Sequence, residues 1–446
     1  MRLSFFAVLP LLLVAATGAK AQTAPLAPAL TVEDAVRLAV QNNPRMSAAR
    51  QDSEAALSGV RSARALVNPN ALAAPGLTSI SGSGDEFLLQ QPLELNGTRS
   101  ARTGIAKAQL RATIAQAAVT VQDVVFRARS AYYELARARE QASITRDAVA
   151  VAREFDRVAR RQVEEGARPG IDLAQTSLEV ARAERDVTLA DAEIIRALAE
   201  LNTVMGRDPT LPIEAVTLLM TKSQQPPQSQ SGATAPSAAE SRTAGIVGTA
   251  QLLSRSLIAR AELQSARATG DQLREEARLA RAEGRPDLVP QFRVGSFTRG
   301  LPPARSGNGV GIGLAITLPL LDYGSRRNRI RQAEQAASAQ DARLFALQND
   351  VKREVVRGLA RQTAAESVVK AYQSGVLNQA ERLLSASRIG FREGRTSVVS
   401  LLEAQRSFRT VQSDYVNALA DAAIARAELE RATGAASPTL LPPSTH

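Results

Sequence analysis

No cysteine and no tryptophan occur in this chain, and its single histidine is the last residue, His446. Without cysteine there is no disulfide, no thiol nucleophile, no thiolate metal site and no sulfur to carry a lipid anchor. Without an internal histidine there is no imidazole base and no histidine-ligated metal centre. Catalytic residues, cofactors and bound metals are therefore expected to be none, and any metal handled would be conducted rather than held. Gly307-Asn308-Gly309-Val310-Gly311 superficially resembles a phosphate-cradling loop. Its neighbours alternate like a β-strand, so a hairpin turn is expected there.

Aromatic residues make up only 3% of the chain, too few for the bulky core of a large globular domain. Ala, Leu, Arg, Gln and Glu are abundant, and these are the strongest helix formers. Together they favour long helices packed through small side chains. The net charge of +11 comes without a compact basic run or stacking aromatics. From Ala136 to Arg161, Arg and Glu are interspersed as on solvated helix faces, and no nucleic-acid partner is expected. Long hydrophobic runs are also missing beyond the start. Arg2, the apolar run Phe5 to Ala16 and Ala19-Lys20-Ala21 read as a secretion signal over residues 1–21. That run is too short to span a bilayer, so any membrane crossing must use β-strands.

The remainder is a duplication. Pro92-Leu93-Glu94-Leu95-Asn96-Gly97-Thr98-Arg99 aligns with Pro319-Leu320-Leu321-Asp322-Tyr323-Gly324-Ser325-Arg326, a spacing of 227 (319 − 92). Glu165-Gly166 with Glu393-Gly394, Ala199-Glu200-Leu201 with Ala427-Glu428-Leu429, and Gly206 with Gly434 all keep 228 (434 − 206). One nearly constant offset across four landmarks marks structural duplicates. The first repeat is expected over 22–215 and the second over 246–436. A Pro/Gln/Ser/Ala-rich linker lies between them at 216–245, and a tail occupies 437–446.

Each half follows one plan. Thr31 caps a helix expected to run to about Leu66, followed by a hairpin over about 69–95. From Gly97 to Pro169 no proline intervenes, which permits a helix of about 65 residues, or about 100 Å. Ile114, Ala118, Val121, Val125, Ala128, Tyr132 and Leu135 are spaced 4,3,4,3,4,3, as are Ile144, Ala148, Val151, Phe155 and Val158. This is heptad packing. A Gly-Pro turn at Gly166 to Gly170 then reverses the chain into a helix from Ile171 to about Met205.

The second hairpin, about 287–321, is the clearer membrane element. Val310, Ile312, Leu314, Ile316 and Leu318 alternate with small or polar residues, as in a strand with lipid on one side and a lumen on the other. Its partner strand runs from Leu288 to Arg299. The first hairpin has a weaker apolar face. Four strands per chain cannot close a barrel, since about eight is the minimum, whereas three copies supply twelve.

Six segments in order resemble the TolC-like outer-membrane efflux proteins. They are Leu30 to Pro44, Gln91 to Arg102, Ala128 to Glu140, Arg285 to Leu288, Leu318 to Arg327 and Phe391 to Phe408. The Gln91 to Gly97 segment is most similar to the branch serving heavy-metal (CzcC-like) resistance pumps. The resemblance implies a mainly α fold with a transmembrane β-barrel part, built from a duplicated helix–β-hairpin–helix–helix unit. It further implies a homotrimer with a twelve-stranded barrel in outer-membrane lipid and an α-barrel tunnel projecting into the periplasm of a Gram-negative bacterium. A periplasmic adaptor and an inner-membrane pump of RND type are the implied partners. Gly166, Ala167, Arg168, Gly394, Arg395 and Thr396 fall at the adaptor-docking tips, and Asp172, Ser400 and Glu403 at the periplasmic gate, where Ser400 replaces an expected acid. The alternatives are a soluble periplasmic coiled-coil adaptor or scaffold, or a channel for drug efflux or type I secretion.

Overall fold

Proline, asparagine and glycine decide where this helix-rich chain breaks. The computed structural model describes residues 30–74, 86–167, 169–213, 238–299, 305–317, 323–393 and 395–435. Helix α1 (Val32–Asn42) starts at Thr31, whose hydroxyl oxygen accepts from the Asp34 N–H at 3.1 Å and donates to its carboxylate at 2.7 Å. The single helix expected to reach Leu66 is instead two. Asn43 caps α2 (Pro44–Arg64) by accepting from the Arg45 N–H, and Pro44 occupies its first position. Proline has no N–H to continue α1, and its fixed φ suits a helix start.

Strands β1 (Asn70–Ala74) and β2 (Glu86–Gln90) follow, then α3 (Thr98–Glu164) and its return helix α4 (Gly170–Val204). The 67 residues of α3 span about 100 Å. The second half repeats the order. It contains α5 (Ala238–Ala259), α6 (Ala261–Ala282), β3 (Asp287–Arg299), β4 (Arg305–Thr317) and α7 (Ser325–Ala371). A π-turn (Tyr372–Val376), α8 (Leu377–Arg392) and α9 (Val398–Thr433) complete it. Helix α5 begins inside the stretch expected to be linker, because Ala238-Ala239-Glu240 are good helix formers.

The four strands form one antiparallel sheet in the order β1-β2-β3-β4. The hairpin turn expected at Gly307 to Gly311 is not there. Those residues lie within β4, with Gly307 opposite Phe297 and Gly309 opposite Gly295, and the pairing runs on to Arg299 opposite Arg305. The ladder continues through these glycines, past the point where glycine alone suggested a turn. Leu318 lies outside the described residues.

The core is a set of helix seams. Tyr132, Leu135 and Ala136 of α3 pack with Leu201 of α4, Met205 just beyond it, and Val416 and Ala420 of α9. Val121, Val124 and Val125 meet Val40, Met46 and Val204. Leu384, Phe391, Leu401 and Leu402 form a separate cluster with Phe155 and Val158 at the far end. The expected heptad stripe fails at its start, where Ile114 is 42% exposed. Ala108, Ala112 and Ala115 are buried there instead, and the Ser265 hydroxyl of α6 donates to the Ala112 carbonyl.

The duplication is visible in three dimensions. Asn43 Nδ2 donates to the Val204 carbonyl at 2.8 Å, and Arg260 Nη1 donates to the Ala432 carbonyl at 3.2 Å. Both donors sit at the break between two helices, and both acceptors end the last helix of their copy. Gly206 and Gly434 follow with φ of +70° and +72°, the left-handed conformation that ends a helix.

Candidate channel elements: the sheet and the helical tips

Alternation within the strands gives the sheet two unlike faces. Paired residues of an antiparallel ladder point the same way. Ala73, Phe87, Val294 and Val310 therefore form one apolar row across four strands, and Ala71, Leu89, Phe292 and Ile312 the next. Leu314 opposite Pro290 and Ile316 opposite Leu288 extend the face. In this single chain Ile312 is 89% exposed and Leu314 is 61% exposed. The opposite face is mixed, with Gln90, Gln291 and Gly313 in one row and Leu72, Leu88, Arg293 and Gly311 in the next. The contribution of Phe87 and Leu89 is not legible in the sequence, because five residues are too few to show a period against a run of apolar neighbours. Among the described residues, strands β1 and β4 each have a partner on one side only.

The repeated motif before each long helix joins the sheet to the helices. Gly97 and Gly324 (φ +94° and +82°) turn the chain into α3 and α7. Two residues on, Arg99 donates from Nε and Nη2 to the Arg64 carbonyl at 2.8 and 2.6 Å. Its counterpart Arg326 donates to the Gly284 carbonyl at 3.0 Å. Each arginine thus satisfies carbonyls at the end of the preceding helix, where positive charge is favoured. Arg102 grips both Glu94 oxygens at 2.6 and 3.0 Å, and Asp287 accepts from the Leu95 N–H at 2.9 Å, tying the two hairpins together.

At the other end, Gly166 (φ +71°) ends α3, with the Ala167 N–H bonded to the Gln162 carbonyl at 2.8 Å. The Arg395 N–H meets the Gly390 carbonyl at 2.8 Å in the matching turn, where Thr396 also lies. Arg168 and Gly394 lie outside the described residues. Asp172 sits in the first turn of α4, suited to the positive end of a helix. Ser397 caps α9, its Oγ accepting from the Ser400 N–H at 3.1 Å, and Glu403 is exposed one turn after Ser400.

Above these residues a charged ladder joins the two copies. Arg406 of α9 pairs with Glu179 of α4, with Nε to Oε1 at 3.2 Å, and Arg409 pairs with Asp186 at 3.3 Å. The Arg406 hydrogen bond holds the Glu179 carboxyl below its usual value, against the opposing effect of burial. Burial raises Asp156, yet hydrogen bonds from Ser177, Arg160 and Thr176 together leave it lowered. Sequence reasoning misses this ladder, because at the offset of 228 that holds here Glu179 aligns with Ser407 and nothing local pairs it with Arg406.

A group with a depressed folded value contributes stability above its unfolded value, near 4.3 for Glu, and loses it as pH falls through the folded one. Glu179→Gln is therefore expected to cost about 1–2 kcal/mol at pH 7 and progressively less below about pH 4.5. Thermal melts of the two proteins across pH check this.

Among the described residues no helix is long and apolar enough to cross a membrane, and no group of three or more acidic or histidine side chains is placed to hold a metal ion. The family described as outer membrane efflux protein matches residues 35–207 and 252–435, most of both copies. The chain belongs to the outer membrane efflux protein family. The fold of this efflux protein is similar to the outer membrane channel CmeC of Campylobacter jejuni, with TM-score 0.72 and 16% identity over 90% of this chain and 85% of that one. It is also similar to the outer membrane protein VceC of Vibrio cholerae, with TM-score 0.69 and 19% identity over 90% and 96% of the two chains. The outer membrane channel MtrE of Neisseria gonorrhoeae gives TM-score 0.69 and 18% identity over 90% and 88%. No curated protein matches the efflux protein in sequence.

Proposed function

We propose that this efflux protein is the passive outer-membrane exit duct of a tripartite pump, assembled as a homotrimer. The observation that carries this reading is the apolar face running across all four strands of a sheet whose two edges are open among the described residues. Open edges are not tolerated in lipid, so the sheet must close on further copies, and three give twelve strands. A soluble adaptor or scaffold has no use for such a face beside the end of a helical column about 100 Å long.

The turns at Gly166, Ala167, Arg395 and Thr396 face the periplasmic adaptor, which links the duct to an inner-membrane pump of RND type. A cavity of about 320 Å³ between α3, α8 and α9 lies beside them, lined by Phe155, Val158, Phe391 and Leu401 and edged by Arg388 and Arg392. With Glu154 also at its edge, it suits an apolar side chain of the adaptor. Heavy-metal cations are the proposed cargo class, on the Gln91 to Gly97 resemblance and on the acids at the mouth. Three copies of Asp172 and Glu403 supply six carboxylates, which favour cations electrostatically without binding them tightly. Ser400, whose hydroxyl lies 2.9 Å from that of the capping Ser397, adds no charge to the ring.

Asp172→Asn with Glu403→Gln is expected to lower conductance and cation preference in planar bilayers. Unchanged values remove the acidic gate, and absence of any conductance from the parent protein removes the duct.

A further inference from the structure

The two copies differ in length by one residue, and the difference can be located. Gly97 and Gly324 are 227 apart, whereas Gly206 and Gly434 are 228 apart. Buried positions narrow the interval. Val124 with Val351, Ala128 with Val355 and Ala131 with Gly358 keep 227, while Ala152 with Ala380 and Ala197 with Ala425 keep 228. The extra residue therefore lies between Gly358 and Ala380. Only one irregularity falls in that interval, the π-turn at Tyr372–Val376. Helix α3 has 67 residues, whereas α7, the π-turn and α8 have 47, 5 and 16, one more in total.

An inserted residue in a continuous helix turns everything beyond it by about 100°. That would carry Leu384 and Phe391 off the seam that they share with α9. A π-turn widens one turn to hold the extra residue, so the faces on either side stay in register. The turn lies against α9, where Gln373 Nε2 donates to the Tyr415 hydroxyl at 3.0 Å and the Tyr372 and Tyr415 rings are 6.2 Å apart. No residue of the turn is buried. It contains Gly375, where an added Cβ would meet nothing within 4 Å. Packing does not require glycine there, and its effect is to soften the helix where it is already widened.

We infer that the second copy carries a one-residue insertion stored in this π-turn, and that the turn is a swivel between α7 and α8 with no counterpart in α3. Deletion of Gly375 from the full chain tests the first half of the statement, with deletion of the exposed Asp147 at the matching place in α3 as comparison. Loss of Gly375 is expected to give a continuous helix, with full assembly in detergent and a melting temperature at or above the parent's. Loss of Asp147 rotates the tip and is expected to abolish assembly. If both deletions fail alike, or both are tolerated alike, the insertion reading is overturned. For the swivel, amide exchange at 372–376 in the parent is expected to be at least about tenfold faster than at 145–149. Gly375→Ala is expected to slow it. Equal exchange in the two segments, or no slowing, contradicts the swivel.

Discussion

Gly206→Ala is expected to destabilise the protein by about 3 kcal/mol or more, a large effect for a single added methyl group. Two costs coincide. At φ +70° an L side chain is strained, and the added Cβ would run into the Asn42 carbonyl, only 2.7 Å from its carbon. That carbonyl is fixed by the helix break at Asn43–Pro44, whose asparagine is clasped to Val204. Gly434→Ala meets the same strain but looser packing, with Ala259 atoms at 3.0 Å, and about 1–2 kcal/mol is expected. Gly59 provides the control. It lies within α2 with open space around a Cβ, so alanine there should stabilise by up to about 1 kcal/mol. Melts of the three variants should rank Gly59→Ala above the parent, then Gly434→Ala, then Gly206→Ala. A Gly206→Ala protein as stable as the parent would mean that the clasp is not a rigid junction.

Ile312→Arg is the second large effect. Ile312 stands at the centre of the apolar row of β4 and is 89% exposed in a single chain. If that face meets lipid, a charge there costs about 2–4 kcal/mol near the bilayer midplane and should sharply reduce the assembled protein recovered from membranes. Its neighbour Gly313 points the opposite way, with nothing within 4 Å of an added Cβ. Gly313→Arg should assemble and instead reduce cation flow through the lumen. On a soluble, water-facing hairpin both substitutions would be mild, so the contrast between adjacent residues carries the information. Quantifying heat-modifiable oligomer in outer-membrane fractions measures it.

The elements with a strong local period are legible from residues alone. The alternation from Val310 to Ile316, the proline-free stretch behind α3 and Gly166 closing that helix all stand where the residues place them. Elements fixed by long-range partners are not. Phe87 and Leu89 acquire a face only by pairing with Val294 and Phe292, more than 200 positions away. The motif residues Arg99 and Arg326 are visible as repeats, but their work on the carbonyls at Arg64 and Gly284 depends on the helix packing. Pro44 is readable as a helix start, yet the alanine spacing continues across it and masks the break. The tip acids present a different case. Their place at the N-terminal ends of α4 and α9 follows from the turns before them, whereas their common aperture depends on neighbouring copies of the chain.

Closure of the sheet by copies of itself underlies the whole functional proposal, and the absence of native cysteine makes it directly measurable. Leu72→Cys on β1 can be combined in one chain with a cysteine at Gly311, Gly313 or Ala315 on β4, and oxidised in outer membranes. With β4 of each copy beside β1 of the next, at least one pairing should give crosslinked dimer and trimer on non-reducing gels, the trimer including a circular species, while either cysteine alone gives monomer. Monomer from every pairing, in protein shown to reside in the membrane, would contradict closure between copies.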